Sequence, residues 1–418
     1  MAAHVAALEL ARISVAGPAV DGIHLGTQYG IIAFVTGRVF DGLLLGLPAF
    51  VGVMYGAGLA RRRSGGAPGR PWAVGIRRVS AALFAAVVVT GAVYVAQPAR
   101  TEPIPGGIAE LTTAHVGGHD TGLMLRGQDT TAPVLLYLAG GPGGTDLGAM
   151  RLFGAPLERD FLVATWDPRG AGTSYGALDP ASTLTFDRAV DDTIELTEQL
   201  RARFGQARIY LVGNSYGTLL GVRAVQLRPE LFAAYVGTGQ MISPVATDRM
   251  FYDDTIAWAT RTGDDVLLAT LRRNGPPPYA SVFPYEAALT YEREWNDYPR
   301  VPAYAAAGEL PANVLVSEYD LVQKVRAIPS FLDSFAALYP SLQGIDFRSQ
   351  VPRLQVPVHL VEGEHEARGR AVPAREWFDA LQAPAKVWTE MPQAGHRPAF
   401  EQPERFAEVM RMVRNGTR

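Results

Sequence analysis

The sequence contains no cysteine at any of its 418 positions. That absence excludes disulfide bonds, thiolate metal sites and a cysteine nucleophile, and it leaves the redox compartment open. Histidine is scarce as well, with seven residues scattered along the chain. None of them belongs to a His-Glu-x-x-His pattern, so a metal-dependent hydrolase has little support and we predict no metal site.

Charged residues of both signs are few as well. Charged residues make up 19% of the chain and the formal net charge is −3, so nothing indicates a nucleic acid or an acidic ligand as a partner. Hydrophobic residues make up 48%, which is somewhat apolar for a soluble enzyme. The length exceeds that of one ordinary core, and it predicts two or more parts.

Two long runs without charge lie in the first hundred residues, from Leu43 to Ala60 and from Ser80 to Ala96. Each is long enough to cross a bilayer as a helix, and the loop between them carries six arginines and no acidic residue. The positive-inside rule makes that loop cytoplasmic and places everything after Gln97 outside the cytoplasm. We therefore expect residues 1–96 to be a region that spans the cell membrane.

Three alternatives concern this region. Residues 23–37 could form a third span or an interfacial helix. A cleaved signal peptide should begin nearer the N-terminus than these runs do. A buried pair of helices in a soluble protein is the remaining alternative.

After a linker rich in proline and glycine at 97–107, strand patterns alternate with helical ones. The predicted strands are Ala109 to Val116, Thr121 to Leu125, Val134 to Leu138, Phe161 to Trp166, Ile209 to Val212, Leu231 to Val236, Val356 to Val361 and Lys386 to Met391. Helices are predicted from Phe186 to Phe204 and from Pro403 to Val413. This α/β pattern indicates a mostly parallel sheet flanked by helices, with an edge hairpin at its start. The sheet core takes residues 108–240 and 351–418, and residues 241–350 form an inserted helical cap.

A Gly-x-Ser-x-Gly pattern at Gly213-Asn-Ser-Tyr-Gly217 lies between an apolar strand pattern and a helical one. Strand, sharp turn and helix form the context of a nucleophile elbow, in which a strained turn exposes a serine hydroxyl. Glycines are needed there because strand and helix come close together. We predict that Ser215 is a nucleophile. The residue after it, Tyr216, should supply one backbone N–H to an oxyanion hole.

A serine hydroxyl needs a general base, and that base needs a third group to orient it. His396 is the best candidate base because it lies in a loop just after the last predicted strand. The acid should follow the preceding strand, where Glu362, Glu364 and Glu366 occur. The first of these belongs to the strand end and the second to the turn at Gly363. We therefore predict Glu366 as the acid.

The second oxyanion donor should come from the loop Gly140-Gly-Pro-Gly-Gly144, which follows a buried strand. Small residues let the backbone approach a substrate, and this strand is the usual source of the donor. Gly141 is our choice. The alternative is a tight turn with a purely structural role. Asp167 and Arg169, which follow the next strand, are predicted to brace neighbouring loops.

Together these motifs resemble the α/β-hydrolase superfamily and, within it, the prolyl aminopeptidase and tripeptidyl aminopeptidase group. The matching pieces are Gly140-Gly-Pro-Gly-Gly144, Asp167-Pro-Arg-Gly-Ala-Gly-Thr-Ser174, Gly213-Asn-Ser-Tyr-Gly217 and Gly395-His396. The resemblance implies a Ser-acid-His triad, a helical cap and no cofactor, and it places the acid at Glu366. The group usually has histidine at Ala139, glycine at Asn214, tryptophan at Tyr216 and aspartate as the acid.

The expected function is that of a membrane-anchored serine hydrolase that cuts small peptides from the N-terminus through an acyl-enzyme. Such an enzyme must bind a free ammonium group, and carboxylates of the cap are candidates for this role: Asp253, Asp254, Glu286, Glu292 and Glu294. A carboxylesterase or lipase acting on small esters or membrane lipids is the alternative. A non-catalytic binding protein with the same fold is a third reading, and the intact serine, histidine and carboxylate argue against it.

Overall fold

The computed structural model describes residues 97–178, 180–302, 304 and 316–417, together with 79, 81–82 and 85–86. The segments predicted to span a membrane lie outside the described residues, except for 81, 82, 85 and 86, which are helical. Within the described residues, no helix combines the length and apolar character that a membrane crossing requires. Residues Ala99–Arg418 form one compact unit.

Eight strands form one sheet in the order β1-β2-β4-β3-β5-β6-β7-β8. They are β1 (Ile108–Val116), β2 (His119–Gly127), β3 (Val134–Leu138), β4 (Leu162–Trp166), β5 (Ile209–Asn214), β6 (Phe232–Thr238), β7 (Val358–Gly363) and β8 (Lys386–Met391). The hairpin β1–β2 is antiparallel and joins β4 in antiparallel pairing, and all other pairs are parallel. The mostly parallel sheet and the edge hairpin are therefore confirmed.

The central strands are buried on both faces. Every residue of β3, β4 and β5 is buried. Strands covered by helices on both sides have continuous apolar runs rather than an alternating pattern, and this is why the sequence Val-Leu-Leu-Tyr-Leu of β3 could be recognised at its true bounds.

Helices flank the sheet, and we number those of the described residues in chain order. They are α1 (Leu147–Phe153), α2 (Phe186–Phe204), α3 (Tyr216–Leu227), α4 (Pro244–Thr262), α5 (Asp265–Asn274), α6 (Glu286–Thr290), α7 (Glu292–Trp295), α8 (Leu321–Leu342), α9 (Phe347–Gln350), α10 (Arg368–Ala380), α11 (Pro398–Glu401) and α12 (Pro403–Gly416). The predicted α2 is confirmed at both ends. Its first turn is capped because Arg188 N donates to the Thr185 hydroxyl, and it ends at Gly205, whose φ is 62°. Predicted α12 runs three residues further than expected.

From residue 241 to residue 350, between β6 and β7, the regular structure described is helical, from α4 to α9. We call residues 241–350 the insert. It has an apolar cluster of its own that includes Phe251, Leu271, Tyr285 and Tyr339. It also contacts the sheet loops, since the Ser334 hydroxyl donates to Gly170 O at 2.9 Å.

The turn from β5 to α3 requires two glycines. A Cβ on Gly213 would lie 2.6 Å from Gly217 O, and a Cβ on Gly217 would lie 2.2 Å from Leu138 O. Both neighbours are backbone atoms of packed elements, so they cannot move aside without shifting a strand or a helix. The sequence spacing of these glycines therefore reflects the close approach of α3 to β3 and β5.

We predict that Gly217→Ala destabilises the protein by at least ~2 kcal/mol or prevents folding, because the added methyl group meets a fixed carbonyl oxygen. Gly344→Ala is the matched control, since a Cβ there meets nothing within 4 Å. It should change the free energy of unfolding by no more than ~0.5 kcal/mol. Urea unfolding of both variants measures the difference, and equal stabilities would contradict the steric explanation.

Candidate active site

Ser215 lies between the last residue of β5 and the first residue of α3, at the carboxyl end of the sheet. Its backbone has φ 51° and ψ −119°. Within the described part of the chain, only Ser215 and Gln393 combine a side chain with a positive φ. Such a conformation costs about 1–3 kcal/mol and persists where the surroundings impose it. Here its N–H donates to Thr238 O on the neighbouring strand at 3.0 Å.

The glycine loop after β3 lies beside Ser215. A Cβ on Gly140 would be 3.3 Å from Ser215 Cβ. Gly141 has φ +134°, and a Cβ there would lie 2.5 Å from Gly144 N, so a side chain does not fit. Tyr216 is the first residue of α3, and its N–H has no carbonyl one helical turn earlier to bond to. Both predicted oxyanion donors thus belong to segments that border Ser215.

His396 and Glu366 are in direct contact. His396 Nδ1 lies 2.7 Å from Glu366 Oε2, and the Glu366 side chain is 1% exposed. The loops that carry them follow β8 and β7, which are adjacent parallel strands. The Asn214 amide donates to His396 O at 3.3 Å, so the residue before Ser215 contacts the backbone of the histidine. His396 and Ser215 both follow strands that end at the same edge of the sheet, and an oriented imidazole within reach of a serine hydroxyl can activate it.

Glu366 is held as a carboxylate by its surroundings. Its Oε1 accepts hydrogen bonds from Arg370 Nε at 2.8 Å and from the Ala367 N–H at 2.8 Å. Burial disfavours the charge, but the Arg370 guanidinium and the His396 ring outweigh burial and lower the pKa of Glu366 to about 2. An anionic partner stabilises an imidazolium. Sequence reasoning missed Arg370, although its i,i+4 spacing from Glu366 at the start of a helix was a signal.

The other two glutamates of this loop point elsewhere. Glu362 is the penultimate residue of β7, and its Oε1 accepts from the Gln240 N–H at 3.0 Å. Burial and the nearby Glu366 raise the pKa of Glu362 well above its ordinary value. Glu364 lies in the turn and accepts from the Gln393 N–H at 3.0 Å. These positions match the expectation of a strand end and a turn.

Asp167 and Arg169 brace loops, as predicted. Asp167 Oδ2 accepts from the N–H and the hydroxyl of Thr173, each at 2.8 Å. Burial raises the pKa of Asp167 to about 6, although hydrogen bonds from Thr145 and Thr173 oppose the shift. Arg169 Nε donates to Ala177 O at 2.8 Å. Neither side chain has a described contact with Ser215 or His396.

The five carboxylates proposed for an ammonium group have different environments. Asp254 is paired with Arg368 at 2.8 Å, and Glu292 is paired with Arg370. Asp253 and Glu294 are exposed. Glu286 is buried and has a polar or electrostatic contact of its own. No group of three or more His, Asp or Glu side chains that could hold a metal ion occurs among the described residues.

We predict that the contacts of Glu366 stabilise the fold above pH ~5 and lose this effect as the pH falls. A pKa of about 2, below the ordinary value, means that folding favours the ionised form until the carboxyl is protonated. The stability difference between wild type and Glu366→Gln should therefore narrow by ~3 kcal/mol between pH 6 and pH 2. Urea unfolding at several pH values measures this gap. A gap for Glu366→Gln that stays constant between pH 6 and pH 2 would contradict the prediction.

Comparison with known proteins agrees with this architecture. Residues 133–325 match a protein family described as the alpha/beta hydrolase fold. The chain is 28% identical over 310 residues to the probable aminopeptidase YbaC of Bacillus subtilis, which covers 72% of this chain and 95% of that protein. It is 29% identical over 222 residues to a probable proline iminopeptidase of Streptomyces coelicolor, which covers 52% of this chain and 58% of that protein.

A solved structure has the same fold. The proline iminopeptidase of Mycobacterium smegmatis superimposes with a TM-score of 0.53 at 20% identity, covering 74% of this chain and 99% of that one. The chain is therefore a hydrolase with the α/β-hydrolase fold, similar in sequence to proteins named as aminopeptidases and proline iminopeptidases.

Proposed function

We propose that this protein is a membrane-anchored serine hydrolase that removes N-terminal residues from small peptides through an acyl-enzyme. The observation that carries the proposal is the 2.7 Å contact between His396 and the buried Glu366, at the sheet edge where Ser215 has a strained backbone. A buried, charged acid that orients an imidazole has a clear use if that imidazole takes the proton of the Ser215 hydroxyl. The relatives named as aminopeptidases support the peptide substrate.

In the proposed reaction, the Ser215 hydroxyl oxygen attacks the carbonyl carbon of the scissile bond while His396 Nε2 takes its proton. The carbonyl oxygen becomes an oxyanion, which accepts hydrogen bonds from the N–H groups of Gly141 and Tyr216. Glu366 holds the ring by its Nδ1–H and stabilises the imidazolium without taking the proton. The tetrahedral intermediate then collapses, the C–N bond breaks, and His396 protonates the departing amine.

The acyl-enzyme that remains is hydrolysed by the same residues, with a water molecule in the place of the departed amine. A water molecule gives a proton to His396 and attacks the ester carbon, and the same two N–H groups hold the second oxyanion. Collapse returns the proton to the Ser215 oxygen and releases the carboxylic acid. The substrate's free ammonium group would be held by carboxylates of the insert, for which Glu286 is the buried candidate.

We predict that Ser215→Ala abolishes hydrolysis, with a loss of up to ~10⁶ in rate, because the members of a triad act as a unit. The full chain, purified in detergent, is tested on a panel of aminoacyl and short-chain acyl chromogenic substrates. A fluorophosphonate probe should label wild type at Ser215 only.

Three outcomes separate the proposals. Preference for aminoacyl substrates supports an aminopeptidase, and preference for acyl esters assigns the site to a carboxylesterase or lipase instead. Labelling or hydrolysis that survives Ser215→Ala would overturn the serine mechanism altogether.

We predict that Glu366→Gln lowers kcat by ~10³–10⁴, as loss of the acid does in triads. Glu362→Gln should stay within about tenfold because Glu362 Oε1 accepts a hydrogen bond from the Gln240 N–H, and an amide oxygen of the same shape can accept it as well. The kcat of Glu364→Gln should also stay within about tenfold of wild type. This side chain lies near solvent, where removal of one charge changes the free energy by ~1 kcal/mol at most. Steady-state kinetics of the three variants measure this order. A damaging Glu362→Gln or Glu364→Gln beside a mild Glu366→Gln would show that another glutamate is the acid.

The membrane anchor is part of the proposal, and it rests on the two uncharged runs and the arginine-rich loop between them. That loop should lie in the cytoplasm and the hydrolase unit outside it. Protease added to intact spheroplasts that express the full chain should therefore digest the hydrolase unit. Complete protection of the hydrolase unit, followed by digestion after lysis, would mean the opposite topology. Recovery of the full chain in the soluble fraction would contradict the proposed membrane anchor.

A further inference from the structure

The backbone on both sides of His396 is hydrogen-bonded to one side chain. Glu401 Oε1 accepts from the Gly395 N–H at 3.0 Å and from the Arg397 N–H at 3.1 Å. Glu401 is 2% exposed, so water is no substitute for these bonds. Hydrogen bonds to the N–H of Gly395 and of Arg397, together with the bond from the Asn214 amide to His396 O, restrain the backbone around His396 and with it the direction of its Cα–Cβ bond. Rotation of the imidazole about that bond is then set by Glu366.

The second oxygen of Glu401 is held by the insert. Tyr298 OH donates to Glu401 Oε2 at 2.9 Å. The tyrosine also occupies the space beside Gly395, where a Cβ would lie 2.2 Å from its hydroxyl oxygen. The two N–H groups and the hydroxyl give the Glu401 carboxylate three hydrogen-bond donors. A buried carboxylate needs such donors because it has lost its contact with water.

Further contacts join the same stretch of the insert to the acid loop. The Tyr298 ring stacks on His365 with centroids 4.7 Å apart, and the Asn296 amide donates to His365 O at 3.0 Å. Glu292 is paired with Arg370, the arginine that bonds to Glu366. Residues 292–298 therefore contact the supports of both the base and the acid.

We propose that Glu401 is a positioning residue for His396 and that Tyr298 makes this positioning depend on the insert. The inference rests on the proposed serine mechanism. The insert is then part of the device that holds the base in line with Ser215, in addition to any role in covering the substrate. A base displaced by about 1 Å can lose about 100-fold in rate, so small shifts of this support matter.

The test compares Glu401→Ala, Glu401→Gln and Tyr298→Phe in the full chain. The endpoint of fluorophosphonate labelling counts folded sites, and kcat is expressed per labelled site. Glu401→Ala should lower this kcat by about 100-fold or more with KM within about threefold of wild type. Glu401→Gln keeps an acceptor oxygen and should recover kcat to within about tenfold of wild type. Tyr298→Phe removes one hydroxyl from a charged acceptor and should lower kcat by about 10-fold.

Glu404→Ala is the matched control, since Glu404 lies three residues further along the chain in an exposed pair with Arg159. It should have the kcat of wild type. A purely structural role for Glu401 predicts fewer labelled sites with an unchanged kcat for each, and that result would overturn the inference. If Glu401→Ala does not fold, the test rests on Glu401→Gln and Tyr298→Phe. A wild-type kcat in both of these variants would overturn the inference. Ser215→Ala in the same assay separates the proposals, because activity that survives it rejects the serine mechanism itself.

Discussion

The hydrogen bond between the Glu366 carboxylate and the His396 ring is the contact on which the candidate site depends. A carboxylate this deeply buried stays ionised only if nearby donors replace the water that it has lost. Arg370 and the Ala367 N–H supply two such donors, and the imidazole supplies the third. The acid is therefore charged because the first turn of the helix that follows it carries Arg370, four residues beyond Glu366.

The parallel sheet explains how distant residues meet. The loops after β3, β5, β7 and β8 all emerge at one edge, because parallel strands end on the same side. This edge gathers the glycine loop, Ser215, Glu366 and His396 from a span of more than 250 residues of sequence. The close approach of β5, α3 and β3 leaves no space for a Cβ at Gly217, so the same packing that exposes the serine restricts its neighbours.

The insert also contacts residues near this edge of the sheet. It bonds to Gly170 through Ser334, to Glu401 through Tyr298 and to Arg370 through Glu292. These contacts reach the loop after β4 and the residues that support the proposed base and acid. An inserted segment with several polar links to the supporting residues can influence the geometry of the reaction as well as the choice of substrate.

Much of this architecture could be predicted because it depends on local patterns. The predicted bounds of strand β3 and helix α2 match the observed ones because a continuous apolar run and 3.6-residue spacing are local signals, and the predicted bounds of β8 match as well. Pairing decided the remaining ends. Strand β5 continues to Asn214 because it pairs as far as Thr238, and β7 begins at Val358, which pairs with Tyr235. The domain boundaries, the membrane region and the ammonium site remain predictions.

The sequence by itself determined the mostly parallel sheet, the strained turn at Ser215 and the pair Glu366 and His396, because motif spacing and strand order constrain them. Only the tertiary structure decided which side chains support that pair. Tyr298 and Glu401 are 103 residues apart, and Glu292 and Arg370 are 78 apart. Neither pair leaves a local pattern, since a hydrogen bond between distant segments depends on how the insert packs against the sheet edge and on no periodicity within either segment.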